Sequence, residues 1–236
     1  PVPLKARPEW LRETAEGVLL LEDDDEVALL ARRLGVPCAR ITHFGHPTAS
    51  LPADVVVGTD RNRAAYLATR HLIEAGARRI GLVMASQTVY VRLPGHRLAL
   101  REAGLPEGPI REIAAGCCDD QIEKTRRTIS RYLDEHGLDV DAFFFSTDYM
   151  ASGAIRALRD RDIEPGRDVG VCGFDGNELA FLHVGPFCTV CIHRDREIIT
   201  AVDLLLQKLD GKTLPREVKL EPEIVCHHTC GRGSPG

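Results

Sequence analysis

Four polar side chains stand just beyond runs of apolar residues: Asp60 after Val55-Val56-Val57, Arg92 after Ile80 to Met84, Asp148 after Phe143-Phe144-Phe145, and Asp175 after Val171-Cys172-Gly173-Phe174. In open α/β sheets ligands bind outside the carboxyl ends of the strands, so these are the positions that can meet one. Carboxylates accept hydrogen bonds and a guanidinium donates them in pairs, which suits a hydroxyl-rich small molecule. The same spacing also lets Asp60 and Asp148 cap the helices that follow them, and lets Arg92 be a solvated surface residue.

Two other constellations could do chemistry. The run Leu19-Leu20-Leu21-Glu22-Asp23-Asp24-Asp25-Glu26 resembles the opening of a response-regulator receiver domain, where an acidic cluster holds Mg²⁺ for aspartyl phosphorylation. Asp60 could supply the third carboxylate, but no strand-end Lys follows it; enrichment of Asp at a helix N-terminus explains the run more simply. Cys188-Thr189-Val190-Cys191 and Cys226-His227-His228-Thr229-Cys230 together offer enough donors for a tetrahedral zinc site. Residues three apart point to opposite faces of a strand, so Cys188 and Cys191 do not converge if the segment is regular; the expectation is structural thiols with no metal and no cofactor. No nucleophile elbow, Walker loop or dinucleotide fingerprint occurs, and no enzymatic activity is expected.

The elements that must position these residues read as alternating strand and helix, the pattern of a parallel sheet covered on both faces. A helix from Pro8 through Ala15 stops at Gly17, and Val18 to Leu21 follow as a strand. Asp23 or Asp24 caps a helix that Gly35 ends, and Val36 to Ile41 form the next strand. The unit is clearest at Val55-Val56-Val57, a helix with Ala64, Leu67, Ala68, His71, Leu72 and Ala75 on one face, Gly76, and the strand Ile80 to Met84. Helix Gly95 to Ala103, strand Glu112 to Ala115, helix Asp120 to His136, strand Ala142 to Phe145, helix Tyr149 to Asp160 and strand Val169 to Gly173 continue the pattern. After a loop come Thr189 to Ile192, a helix through Leu209, and the strands Val218 to Leu220 and Glu223 to Val225. The tail 231–236 is flexible by composition.

With 236 residues and 44% hydrophobic content, the chain is long enough to bury a sizeable core. A net charge of −5 argues against a polyanion-binding surface as a property of the whole chain. No stretch approaches the roughly 18 to 20 apolar residues of a membrane helix, and no secretory signal opens the sequence. Cys38, Cys172 and Cys188 sit inside apolar runs as small hydrophobes, which implies a reducing, cytoplasmic setting.

The stretch from Val57 to Val83 resembles the effector-binding domain of the LacI/GalR transcription regulators. Three further segments are similar to family signatures, in the right order: Arg92-Leu93-Pro94-Gly95-His96, Ser146-Thr147-Asp148-Tyr149-Met150-Ala151, and Asp168-Val169-Gly170-Val171-Cys172-Gly173-Phe174-Asp175. Coverage runs from about Gly17 to Thr229. The resemblance implies an α/β, two-lobed, periplasmic-binding-protein-like fold with parallel doubly wound sheets, in which a sugar-like effector closes a cleft lined or supported by Asp60, Arg92, Thr147, Asp148 and Asp175. It further implies a homodimer whose DNA binding comes from a segment not present in this chain. The first lobe would hold 1–61 and 192–218, and the second 62–191 and 219–230. The chain departs from the pattern in several places. The family's first two strand–helix units are absent, Thr147 replaces the usual ligand-binding Asn, Cys117-Cys118 stand where many sugar-binding members carry a stacking aromatic, and His96 replaces an aromatic. A solute-binding protein of a transporter, which shares this fold, is the alternative reading.

Overall fold

Side-chain alternation and glycine stops set the architecture. The computed structural model describes residues 13–21, 25–42, 52–86, 89–113 and 118–231. In chain order the elements are β1 (Val18–Leu20), α1 (Asp25–Leu34), β2 (Cys38–Ile41), β3 (Val55–Thr59), α2 (Arg61–Glu74) and β4 (Ile80–Ala85). Next come α3 (Val89–Glu102), β5 (Ile110–Ile113), α4 (Cys118–His136), β6 (Ala142–Phe145), α5 (Asp148–Arg159) and β7 (Gly170–Asp175). The chain closes with α6 (Glu178–Phe181), β8 (Cys188–Cys191), α7 (Arg194–Leu209), β9 (Glu217–Leu220) and β10 (Glu223–Val225). Gly35 and Gly76 end α1 and α2 at φ of 71° and 105°, the left-handed conformation that a residue with a Cβ resists. Among the described residues no helix is long and apolar enough to cross a membrane.

The chain divides into two compact units, Pro1–Asp60 with His193–Glu221, and Arg61–Ile192 with Pro222–Gly236. The first holds a four-stranded sheet in the order β1-β2-β3-β9, with every pair parallel. Its two faces are covered by different helices, as the period of two along a strand requires. Leu20 and Cys38 pack with Val27, Ala28 and Ala31 of α1, whereas Ala39, Ile41, Val55 and Val57 pack with Ala201 of α7. Because β9 pairs with β3 as far as Leu220 opposite Thr59, the returning chain stays in this unit through Glu221, not only to residue 218 as the sequence suggested.

The second unit carries a six-stranded sheet in the order β10-β8-β7-β6-β4-β5, parallel except where β10 runs antiparallel to β8. Phe143 and Phe145 enter one core with Met150, Ala154 and Leu158 of α5, and Phe144 enters the other with Ala64, Ala68 and Leu72 of α2. Each face is covered by a helix pair in close approach. A Cβ at Gly95 of α3 would lie 1.9 Å from the Asn62 carbonyl oxygen of α2, and one at Gly153 of α5 would lie 2.1 Å from that of Ile122 in α4. Only glycine allows either contact.

Several sequence expectations shift. α3 begins at Val89, ahead of the expected Gly95, and runs through Pro94, so Arg92 lies in a helix and not in a loop. β5 spans Ile110–Ile113, not residues 112–115, and a short helix, α6, interrupts the segment read as loop. β10 ends at Val225, as expected, so Cys226 and Cys230 lie beyond the strand. The expected helix start at Pro8, the acidic residues Asp23 and Asp24, the Cys117 side of the Cys117-Cys118 pair and the tail from 232 to 236 lie outside the described residues.

Candidate functional site

At the carboxyl ends of the second unit's strands the structure brings Arg92, Asp148 and Asp175 together. β7 delivers Asp175 as its last residue, and the first turn of α3 delivers Arg92. The Arg92 guanidinium carbon lies 4.1 Å from the centre of the Phe174 ring, a cation–π stack, while its Nη2 is 3.7 Å from Asp175 Oδ1. That separation is an ion pair without a hydrogen bond. The Arg92 side chain is 8% exposed and that of Asp175 23%, so the carboxylate keeps solvent access that the guanidinium largely lacks. Asp175 has φ of 112°, a conformation that costs a non-glycine residue about 1–3 kcal/mol and is concentrated at functional sites.

Asp148 has a different part. It is fully buried; its Oδ1 accepts from Thr189 Oγ1 at 2.6 Å and its Oδ2 from the Asn177 backbone N–H at 2.6 Å. Burial, and then the like charge of Asp175, raise its carboxyl well above the usual range, against the opposing hydrogen bonds from Thr189, Asn177 and the Phe174 backbone. Gly173 is required beside it, since a Cβ there would lie 2.2 Å from Asp148 Oδ1. Asp148 therefore fastens the turn after β7 to the start of α5. The cap of α5 is Thr147 and not Asp148: the Thr147 hydroxyl accepts from the Met150 N–H at 3.2 Å and donates to Gln121 Oε1 at 2.9 Å.

Asp60 belongs to the other unit, half-buried immediately after β3. Beside it lies a residue that sequence reasoning missed. Glu197, in the first turn of α7, is fully buried and accepts from both the backbone N–H and the hydroxyl of Thr59, at 2.9 and 2.7 Å. An acidic residue in a helix's first turn, here with Asp195 beside it, reads from sequence as a macrodipole partner, so nothing marked it. Asn177, Thr189 and Gln121 were missed for a similar reason: their partners come from distant elements. His96 is a core residue, bonded to Thr69 Oγ1 at 2.9 Å and held down to about 4 by burial.

Other groups gather away from this end. A cavity of about 300 Å³ is lined by Gly76, Asp141, Arg167, Asp168, Gly170 and Cys230, at the amino-terminal ends of the strands, and holds none of the expected ligand residues. Nearby, donor atoms of His71, Cys188, Cys226 and Cys230 all lie within 4.8 Å of one another. A hydrogen bond with Cys230 is the largest cause bringing the Cys188 thiol down to about 3, with His71, Thr229 and Cys226 acting in the same direction and burial against them. Cys191 lies across the strand from Cys188, with its sulfur against Gly176. Among the described side chains, Cys38, Cys172, Cys188, Cys191, Cys226 and Cys230 are in no disulfide.

Residues 69–230 match the family profile described as periplasmic binding protein-like domain. The chain is 27% identical over 185 residues to the HTH-type transcriptional repressor MelR of Bacillus subtilis, covering 74% of this chain and 52% of that protein. It is 30% identical over 164 residues to the repressor PurR of Aliivibrio salmonicida, covering 68% and 48%. It thus spans about half the length of these curated relatives. A solved structure of the transcriptional regulator CelR in complex with cellobiose superimposes with a TM-score of 0.76 at 26% identity, over 95% of this chain and 69% of that one. The chain belongs to the periplasmic binding protein-like domain family, as an effector-binding domain of the LacI/GalR type.

Proposed function

We propose that this chain senses a small hydroxyl-bearing metabolite, of the sugar class, and that its occupancy controls DNA binding by a segment outside the chain. The observation that carries the reading is the Arg92–Asp175 pair: a buried guanidinium held on Phe174, facing a partly exposed carboxylate on a strained backbone at a carboxyl strand end. A guanidinium donor and a carboxylate acceptor side by side match the donor and acceptor pattern of adjacent hydroxyls. Asp148 supports the turn that presents Asp175, and Thr147 is a candidate on its place at the start of α5, its hydroxyl engaged with Gln121 and the Met150 N–H. Asp60 is a candidate on its placement after β3 alone. The cellobiose bound by CelR supports the sugar class.

The mechanism is a population shift: the ligand binds one arrangement of the two units more tightly than others and so favours it. This is a binding protein rather than an enzyme, acting as a homodimer in the cytoplasm, a reading supported by the repressor relatives. A panel of mono- and disaccharides and related polar metabolites, screened by thermal shift on the wild-type chain, tests it. At about 100 times its dissociation constant the cognate ligand stabilises the fold by about 2.7 kcal/mol. Arg92→Ala, with its melting temperature measured alongside, abolishes that shift; an unchanged shift refutes the assignment of the site.

A further inference from the structure

The amino-terminal end of the second unit's sheet gathers four soft or borderline donors from three separate places in the chain. His71 lies in the last turn of α2, Cys188 opens β8, and Cys226 and Cys230 follow β10. Cys188 Sγ is 3.3 Å from Cys226 Sγ, and Cys226 Sγ is 3.6 Å from Cys230 Sγ. With the His71 ring nitrogen, the donors all fall within 4.8 Å of one another. A tetrahedral zinc with Zn–S bonds of about 2.3 Å sets its sulfurs about 3.8 Å apart, so small adjustments bring these donors onto one ion. Among the described residues the buried His71 Nε2 meets no hydrogen-bond partner in good geometry, and the ring acts on the Cys188 thiol beside it, an arrangement that a bound ion would satisfy.

We propose that His71, Cys188, Cys226 and Cys230 form a structural zinc site. Three thiolates and one imidazole are a closed four-ligand set with no position left for water or substrate, which marks a structural and not a catalytic centre. On binding, the thiols release their protons to solvent, and Zn²⁺ with three thiolates and neutral His71 carries a net charge of −1. A disulfide is the competing chemistry for close thiols. It would join only two of the three and leave the third thiol and the imidazole without a purpose.

The surroundings fit a clamp on the returning chain. Thr229, between the two late ligands, receives the Cys188 N–H on its hydroxyl at 2.8 Å, and its carbonyl accepts from the Val171 N–H at 2.6 Å. The His227 N–H points at Cys188 Sγ at 3.3 Å, a hydrogen bond of the kind that holds a thiolate ligand in place. The segment after β10 is thereby placed against β7 and β8, and the ion would fix it to α2 as well. Cys226 is exposed and gives the ion a way in, while Cys188 and Cys230 are buried.

The proposal does not depend on the effector assignment and is tested without an effector. The 236-residue chain, purified under reducing conditions, is titrated with Co²⁺ and Zn²⁺ and assayed for bound metal after dialysis. One equivalent of zinc that survives dialysis, thiolate-to-cobalt charge-transfer and tetrahedral ligand-field bands, and a melting temperature lowered by a chelator are the expected results. Cys226→Ser, at the exposed ligand, loses the bound equivalent and the cobalt bands while keeping its circular dichroism, and Cys191→Ser, outside the cluster, keeps both. A reduced chain that gives no tetrahedral cobalt spectrum overturns the site. So does full metal retention by both Cys226→Ser and Cys230→Ser, or mass analysis that finds a Cys188–Cys226 disulfide in the freshly isolated chain.

Discussion

The two ends of the second unit's sheet are built from different chemistry. At the carboxyl ends stand hard, charged groups: Arg92 on Phe174, Asp175 on a strained backbone, and Asp148 locked beneath them. At the amino ends stand soft donors, three thiols and an imidazole, packed where the chain returns after β10. In an open parallel sheet ligands bind outside the carboxyl ends of the strands, so the amino ends are free of that role. A charged pair marks one end and a thiol cluster the other.

Removing Asp148 tests how far the carboxyl end depends on its hidden support. Asp148→Ala leaves the Thr189 hydroxyl and the Asn177 N–H buried without acceptors and costs about 4 kcal/mol, at about 1–3 for each orphaned group. Urea unfolding of the variant measures this, and metal retention in the variant shows whether the two ends are independent. A loss below about 1 kcal/mol would mean that Asp148 is not the fastener described above.

The body between the ends is probed by acid. His96 is held near 4 in the folded chain against 6.5 for the free side chain, so between those values the unfolded state binds a proton that the folded state refuses. Stability conferred by the neutral ring is present above about pH 6.5 and is lost as pH falls towards 4, by about 3 kcal/mol in all. The difference in melting temperature between wild type and His96→Gln, followed from pH 7 to 4, narrows accordingly; a constant difference would show that His96 is not the group being titrated.

The smallest expected effect sharpens the strain argument. Asp175→Gly removes the Cβ at a φ of 112° but also the carboxylate that faces the buried Arg92 guanidinium, so relief of about 1 kcal/mol of strain is set against loss of the ion pair; the net change in stability is within about 1 kcal/mol and the ligand response is lost. Chemical denaturation and thermal shift on the same preparation read both. Destabilisation by more than about 2 kcal/mol would show that the Asp175 carboxylate is mainly a structural support of the turn.

Much of the fold was legible because its signals are local. Gly35 and Gly76 adopt the left-handed conformation that their helix-ending positions suggested, and the Phe143-Phe144-Phe145 run is a strand buried on both faces. The Arg92 and Asp175 motifs converge as the carboxyl-end rule requires. What stayed hidden depends on pairing between distant segments. The helix read from Gly95 starts instead at Val89 and runs through Pro94. Asp148 looked like a cap because it begins a helix, but the cap is its neighbour Thr147 and the carboxylate turns inward. The thiol cluster needed the antiparallel register of β10 on β8 and the last turn of α2, and nothing in the spacing of Cys188 and Cys191 announces His71.

The most direct test of the central claim is a crystal structure of this chain with the metabolite that gives the largest thermal shift. The account predicts ligand hydroxyls hydrogen-bonded to the Arg92 guanidinium and the Asp175 carboxylate, with Asp148 still bonded to Thr189 and Asn177 and making no contact with the ligand. A ligand seated instead in the cavity beside Gly76, Asp168 and Cys230 would contradict it.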